Sequence, residues 1–457
     1  MVPVELGTEK IGKLLKQYAT PAIVAMLASS LYNMVDSIYI GQGVGPLAIS
    51  GLAVTFPLMN IAVAFGTLVG VGASTLISIL LGQQDYKMAN RVLGNVVILN
   101  VVISAVVTAL SLIFMNPILY FFGASENTIS YAREYMVVIM WGNIISHLYH
   151  GLNGVLRSSG RPRLAMSATI LAVVLNTILD PIFIFALKMG IRGAAVATVL
   201  AQVVALVWVV KILCDKNHVL HFSREVFHFD FKIAWRSLSI GMSPFLMNIA
   251  SCFVVILINN QLARYGGDLA IGAYGIANRL GFLFFTITMG LNQGMQPIAG
   301  YNYGARKFGR VKQVLKLTIF CSVVALSVGF IVGMTMPKLA VSLFTRDAEL
   351  QAIAARAFRI NVLLFPLVGF QAVVTNFFQC IGKANKAIFL SLTRQLLFLV
   401  PFLAILPRYF GVDGVWFSLP ASDAVSTVTA LLMLIPQMRE FDRLEASGPS
   451  LTPNNGQ

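Results

Sequence analysis

The sequence predicts an all-α integral membrane protein of about twelve transmembrane helices in two pseudo-symmetric six-helix lobes. Three observations predict it. Only 11% of residues are charged and 57% are hydrophobic, with mean hydropathy +0.80, whereas a water-facing domain carries about 25% charged residues. The apolar residues fall in long runs, such as 96–113, 170–187 and 319–336. An internal duplication at near-constant offset covers the whole chain.

A run of about 18 apolar residues is long enough to cross hydrocarbon as a helix. Backbone groups find no water there, so each run is a helix or belongs to a closed barrel. Barrel strands alternate in and out over about 10 residues, and these runs do not. Length and loop punctuation give the spans in order. The first, 17–41, follows Lys10, Lys13 and Lys16 and lacks the small-residue cleavage site of a signal peptide. The second, 47–81, is long and Gly-rich and is expected to tilt or bend. Spans at 92–115, 131–156, 164–187 and 193–213 complete the first half. The second half repeats the order at 237–263, 269–301, 314–336, 353–380, 387–407 and 414–436, its second member again long and Gly-rich.

The net charge of +15 could suggest nucleic acid as a partner, but its distribution argues against one. Most Lys and Arg sit in short loops on one side, including Lys87, Arg91, Arg161, Arg163, Arg306, Lys307, Arg310, Lys383 and Lys386. That is the positive-inside pattern, which makes the basic side cytoplasmic and puts both termini there. A multi-pass protein of the bacterial inner (plasma) membrane is expected, with the lipid bilayer as its surroundings and no nucleic-acid partner.

The duplication matches Gly45-Pro-Leu-Ala-Ile49 with Gly267-Asp-Leu-Ala-Ile271, and Gly66-x-x-x-Gly70 with Gly290-x-x-x-Gly294. It also matches Gly160-Arg161 with Gly382-Lys383, and Gly190-Ile-Arg-Gly193 with Gly411-Val-Asp-Gly414. Two homologous halves in parallel topology follow, an architecture used by secondary transporters, in which one half moves against the other around sites near mid-membrane. The expected division is an N-terminal lobe at 1–214, a cytoplasmic linker at 215–236, a C-terminal lobe at 237–438 and a disordered cytoplasmic tail at 439–457.

A carboxylate at the bilayer centre costs about 2.5–3.5 kcal/mol on insertion scales, so each one demands a reason. Three of the 18 acidic residues lie inside spans: Asp36, Asp180 and Asp423. Asp36 lies late in the first helix and Asp180 late in the fifth, and both helices run outward, so the two acids reach similar depth. Asn176 is four residues before Asp180 and shares its helix face. Pro181 cannot donate its N–H and tends to bend the helix. Thr198 and Tyr135 reach the same layer. Two carboxylates, an amide, a hydroxyl and a phenol at one depth can hold a proton or a small cation, because two neighbouring acids in a low dielectric cannot both ionise easily. If the ion is sodium, Asp36, Asp180, Asn176 and Thr198 are its expected ligands.

The second half is a control. Asp36 falls on Asn259, Asn176 on Leu397 and Asp180 on Pro401, so the acidic constellation occurs once. Packing glue would have been kept in both copies. Coupling is therefore expected in the N-terminal lobe alone. Asn153, Met34, Gln293, Gln296 and Asp423 are further candidates, as lining of a substrate cavity. For Asp423 the competing reading is an ion pair with Arg394 or Arg279. His147 and His150 are read as a wet helix face, with no third ligand for a metal.

No enzyme motif is present: there is no His-Glu-x-x-His, no phosphate-cradling Gly-x-x-x-x-Gly-Lys-Ser/Thr, and no intramembrane nucleophile with a base. Cys214, Cys252, Cys321 and Cys380 show no paired spacing. No enzyme activity and no cofactor are expected, and the driving energy should come from an ion gradient.

Several stretches resemble the multidrug and toxic compound extrusion (MATE) family. The most specific is Gly290-Leu-Asn-Gln-Gly-Met-Gln-Pro-Ile-Ala-Gly-Tyr-Asn-Tyr-Gly304-Ala305. Supporting matches are Asp36, Gly82-Gln-Gln-Asp85, Arg157-x-x-Gly160-Arg161-Pro162 and Asn176-x-x-x-Asp180-Pro181. The resemblance implies a V-shaped pair of six-helix lobes, acting as a monomer, that exports amphipathic and often cationic drugs in exchange for H+ or Na+. It also implies that Asp36, Asp180, Asn176, Thr198 and Tyr135 form the cation site. One departure is that helices seven and ten offer Asn259, Asn260, Gln371, Asn376 and Gln379 where sodium-coupled members carry acids. The alternative reading is a flippase for a lipid-linked saccharide or other amphipathic lipid, which would call for more basic residues in the cavity than Arg279 and Arg394 provide.

Overall fold

A computed structural model describes residues 4–446. Helices account for nearly all of them, and apolar length marks nine that could cross a membrane, or ten when a bent pair is counted as one span. Breaks within long helices, together with the more polar fourth element, bring the legs to the expected twelve. They are α1 (Ile11–Gly43), α2 (Pro46–Gly82), α3 (Tyr86–Ile113), α4 (Ile129–Trp141 and Asn143–Ser158), α5 (Pro162–Ala186) and α6 (Ile191–Leu213) in the first half. The second half has α7 (Phe231–Gly267), α8 (Leu269–Gly304), α9 (Phe308–Thr335), α10 (Ala348–Asn361 and Phe365–Cys380), α11 (384–410) and α12 (412–446).

Three of the four duplicated motifs are where the chain turns. Gly45 and its partner Gly267 have φ of 116° and 66°, and Gly190 and its partner Gly411 have φ of 60° and 58°. A side chain is strained in that left-handed region, so glycine ends one leg and lets the next begin. At three other helix starts an aspartate supplies the cap, Asp347 among them. Asp85 accepts from the Met88 N–H at 2.9 Å to start α3, and Asp230 accepts from the Lys232 N–H at 2.8 Å to start α7.

Two expected boundaries move. The linker ends earlier than residue 236, because the Asp230 cap starts α7 at Phe231. The tail does not begin at 439: α12 stays helical to Ala446, and only the remainder lies outside the described residues. The physical reason is packing and charge. Phe441 is fully buried and stacks on Phe308 at 5.2 Å, while Glu440 pairs with Lys383 and both Asp442 and Glu445 pair with Lys312.

The hydrophobic core shows how the lobes meet. On the basic side one cluster runs through both halves, joining Leu14, Leu76 and Val155 to Met295, Phe377 and Phe441. On the opposite side the core divides. One cluster around Ile40, Met136 and Ile191 belongs to the N-terminal lobe, and another around Ile258, Phe358 and Trp416 belongs to the C-terminal lobe. The lobes are therefore joined on the basic side and separate on the other, which is a V.

The seam follows the duplication. A β-carbon on Gly72 of α2 would overlap the Ser237 carbonyl of α7, and one on Gly294 of α8 would sit 2.6 Å from the Ala19 backbone of α1. Gly72 and Gly294 differ by 222 residues, so the two crossings are equivalent. Gly70, matched above to Gly294, instead faces Gly151 of α4 within its own lobe, as Gly66 faces His147, so the packing pairs Gly72 and not Gly70 with Gly294. The N-terminal segment crosses the same seam. Leu6 is fully buried, and the carbonyls of Leu6, Gly7 and Glu9 accept from Asn302, Lys307 and Arg310 of the C-terminal lobe at 2.6–3.2 Å.

Each lobe also carries one bridge on the side away from the basic loops. Arg192 pairs with Glu134 at 3.5 Å, linking α6 to α4. At the equivalent place Arg356 pairs with Asp413 at 2.6 Å, linking α10 to α12 with the charges exchanged.

Candidate ion site in the N-terminal lobe

Four helices of the N-terminal lobe bring the expected residues together. Asp36 is buried on α1, and Asp180 is fully buried at the end of the α-helical part of α5. Beyond Pro181 the chain continues in π-helical turns, Ile182–Ala186, the local answer to a proline that cannot donate. Asn176, one turn before Asp180, donates from Nδ2 to Thr198 Oγ1 at 3.1 Å and to Asp180 Oδ1 at 3.3 Å. Thr198 Oγ1 donates in turn to the Ala194 carbonyl at 3.0 Å. Tyr135 of α4 is buried beside them, close enough to feel both carboxylates.

The bonding is incomplete in a telling way. Asp36 Oδ1, Asp180 Oδ2 and Asn176 Oδ1 are buried and accept no hydrogen bond from the described residues. An acceptor left unpaired away from water costs about 1–3 kcal/mol. Three such oxygens, two of them from carboxylates, suit a proton or a hard, oxygen-seeking cation. No group of three or more His, Cys, Asp or Glu side chains able to hold a metal ion occurs among the described residues.

Sequence reasoning missed Tyr32. It lies one turn before Asp36 on α1 and feels the charges of Asp36 and Asp180. Its spacing of four residues before Asp36 was the available signal, since i and i+4 share a helix face.

The other candidates separate by position. Met34 is exposed on α1, in the half where the lobes part. Asn153 is buried and donates to the Ala165 carbonyl at 2.9 Å, on the wall of a small cavity shared with Tyr18, Pro21 and Arg157. Gln293 and Gln296 are in the closed seam instead of an open cavity. Gln296 donates to Thr75 Oγ1 and the Val71 carbonyl, and Gln293 accepts from Arg157 of α4. Asp423 pairs with Arg394. His147 is buried against the Ala62 carbonyl, so it does not sit on a wet face.

Two six-helix lobes joined at one end, with a pair of buried carboxylates in the N-terminal one, define a membrane transporter of the two-lobe type. The chain belongs to the MatE family, whose family model matches residues 21–182 and 241–405. Among its relatives is the multidrug export protein MepA of Staphylococcus aureus (strain MSSA476), 29% identical over 422 residues, which are 92% of this chain and 93% of that protein. MepA of Staphylococcus haemolyticus (strain JCSC1435) is 28% identical over 93% of each chain. Among solved structures, a MATE protein in complex with MaL6 matches with a TM-score of 0.90 at 25% identity, covering 97% of this chain and all of that one.

Proposed function

We propose that the chain is a secondary active multidrug efflux antiporter, acting as a monomer, that exports amphipathic and often cationic compounds in exchange for H+ or Na+. One observation carries the reading: the buried Asp36 and Asp180, with three unpaired oxygens, occur in one lobe and have no acidic counterpart in the other. The export of drugs by MepA, similar over nearly its whole length, supports the substrate class. With the basic side in the cytoplasm of a bacterial cell, the V opens outward. An ion entering from outside then reaches the carboxylates of α1 and α5 directly. Binding it removes an uncompensated charge from low dielectric, which changes how α1 packs against α5 and favours release of the drug.

The test is ethidium transport in proteoliposomes, with a proton gradient or a sodium gradient imposed alone. The gradient that drives transport identifies the ion. Asp36→Asn and Asp180→Asn should each reduce gradient-driven transport to the level of protein-free vesicles. Transport at the original rate in either variant would remove the site.

A further inference from the structure

The coupling site leaves a second buried charge unexplained. Arg394 on α11 and Asp423 on α12 meet near the middle of their helices, where Arg394 Nε donates to Asp423 Oδ1 at 2.6 Å. Ser422 Oγ donates to the Arg394 carbonyl at 2.5 Å and ties the helices at the same level. Tyr274 of α8 is close enough to feel the guanidinium charge, and its ring stacks on Trp416 of α12 at 6.3 Å. The helix α8 that carries Tyr274 also meets the N-terminal lobe along the seam, at Gly294.

A structural tie does not account for it. Replacing a buried ion pair with apolar groups of similar volume is commonly neutral or stabilising, and charges inside the bilayer are costly. The sister lobe does without the pair. At the offset of 221, Arg394 corresponds to Val173 and Asp423 to Gln202, and Gln202 accepts a neutral hydrogen bond from Ser146. The contact is also one-sided. It uses Nε alone, the Arg394 side chain is 31% exposed while Asp423 is 6% exposed, and neither Nη group bonds to the described residues. Asp423 thus holds the guanidinium in place and leaves free the planar pair of donors that suits a carboxylate.

We propose that Arg394, positioned by Asp423, is the subsite for a carboxylate or sulfonate on the transported amphiphile. The preferred substrates then carry an anionic group beside the cationic and apolar parts, and the two lobes read different ends of one molecule. This rests on the efflux reading for its substrate, but its test needs no gradient.

The test is equilibrium binding to the purified full chain in detergent, followed by fluorescence anisotropy with two dyes. Rhodamine 110 carries a free carboxylate on a cationic xanthene, and rhodamine 123 is its methyl ester. A charge-assisted hydrogen bond contributes about 1.5–3 kcal/mol, so Arg394→Gln combined with Asp423→Asn should weaken rhodamine 110 binding about tenfold or more. Rhodamine 123 binding should change less than about twofold. Arg394→Lys keeps an ion pair with Asp423 but loses the planar fork, and it should still weaken rhodamine 110 several-fold at an unchanged melting temperature. Equal losses for both dyes, no loss for either, or full recovery in Arg394→Lys would overturn the subsite. A wild-type chain that binds rhodamine 123 but not rhodamine 110 would also overturn it, leaving the efflux reading intact. If ion-driven transport fails while the dye difference stands, the coupling reading falls alone.

Discussion

Gln296 of α8 donates its side-chain N–H to Thr75 Oγ1 of α2 at 2.9 Å, a hydrogen bond that joins the two lobes on the basic side. It must break whenever the lobes part there. Thr75→Val keeps the shape and removes the acceptor, at a cost of about 0.5–1.5 kcal/mol to the joined state. The expected result is a rise of about three- to tenfold in the population open on the basic side. A single cysteine at Val71, in a background without the four native cysteines, reads this out through its alkylation rate. An unchanged rate would mean that the bond does not bias the lobes.

Gly72 sets how closely α2 can approach α7. A methyl group there would overlap the Ser237 carbonyl, which is backbone and cannot swing away. Gly72→Val should therefore force the crossing apart at a cost of about 1–3 kcal/mol or more. The equivalent Gly294→Val should act the same way on α1 and α8. Distances between spin labels across the seam should lengthen in both variants, and a seam of native width would contradict the assignment.

The N-terminal segment acts as a strap. Leu6→Ala removes a fully buried side chain and should cost about 2–5 kcal/mol. Arg310→Ala leaves the Leu6 and Glu9 carbonyls without one of their donors. Both variants should lower the melting temperature and raise basic-side accessibility together, whereas a segment that only decorates the surface would change neither.

The linker should respond to acid. Burial, and then the Arg161 guanidinium, hold the His218 imidazole below its ordinary range, with Asp215 at 3.4 Å opposing them weakly. The folded linker therefore resists a proton that the unfolded chain accepts, so stability is lost as pH falls through the ordinary histidine range near 6.5. The Asp215 carboxyl is held low chiefly by the Asn217 backbone N–H, so its contribution is lost only at more acid pH. Protease cleavage within 215–230 should accelerate from pH 7.5 to pH 5.5, and His218→Gln should flatten the profile.

Much of the molecule is legible in the sequence, and for identifiable reasons. Spans show because hydrocarbon permits only satisfied backbone, and Asp36 and Asp180 show because charge inside a membrane needs a cause. The boundaries of α7 and α12 were less visible: one depends on the Asp230 cap, and the other on the contact of Phe441 with Phe308, 133 residues earlier. The seam was hidden more deeply. Lipid and a neighbouring helix are both apolar, so hydropathy does not say which face meets which. Gly72, Gln293 and Gln296 declare their roles only once α2, α4, α7 and α8 are placed together. Tyr32 was hidden for a different reason, since a phenol in an apolar helix looks like ordinary packing until its neighbours are known.

The exchanged polarity of the two outer bridges bears on how the chain assembles in the bilayer. Each pair is largely exposed and contributes at most about 1 kcal/mol where it stands. Its value lies in the wrong partnerships. Were α4 to associate with α12, Glu134 would confront Asp413, and were α10 to associate with α6, Arg356 would confront Arg192. Two helical halves descended from one ancestor are liable to confuse their own neighbours with those of the sibling, and the reversed sign helps α4, α6, α10 and α12 tell kin from self.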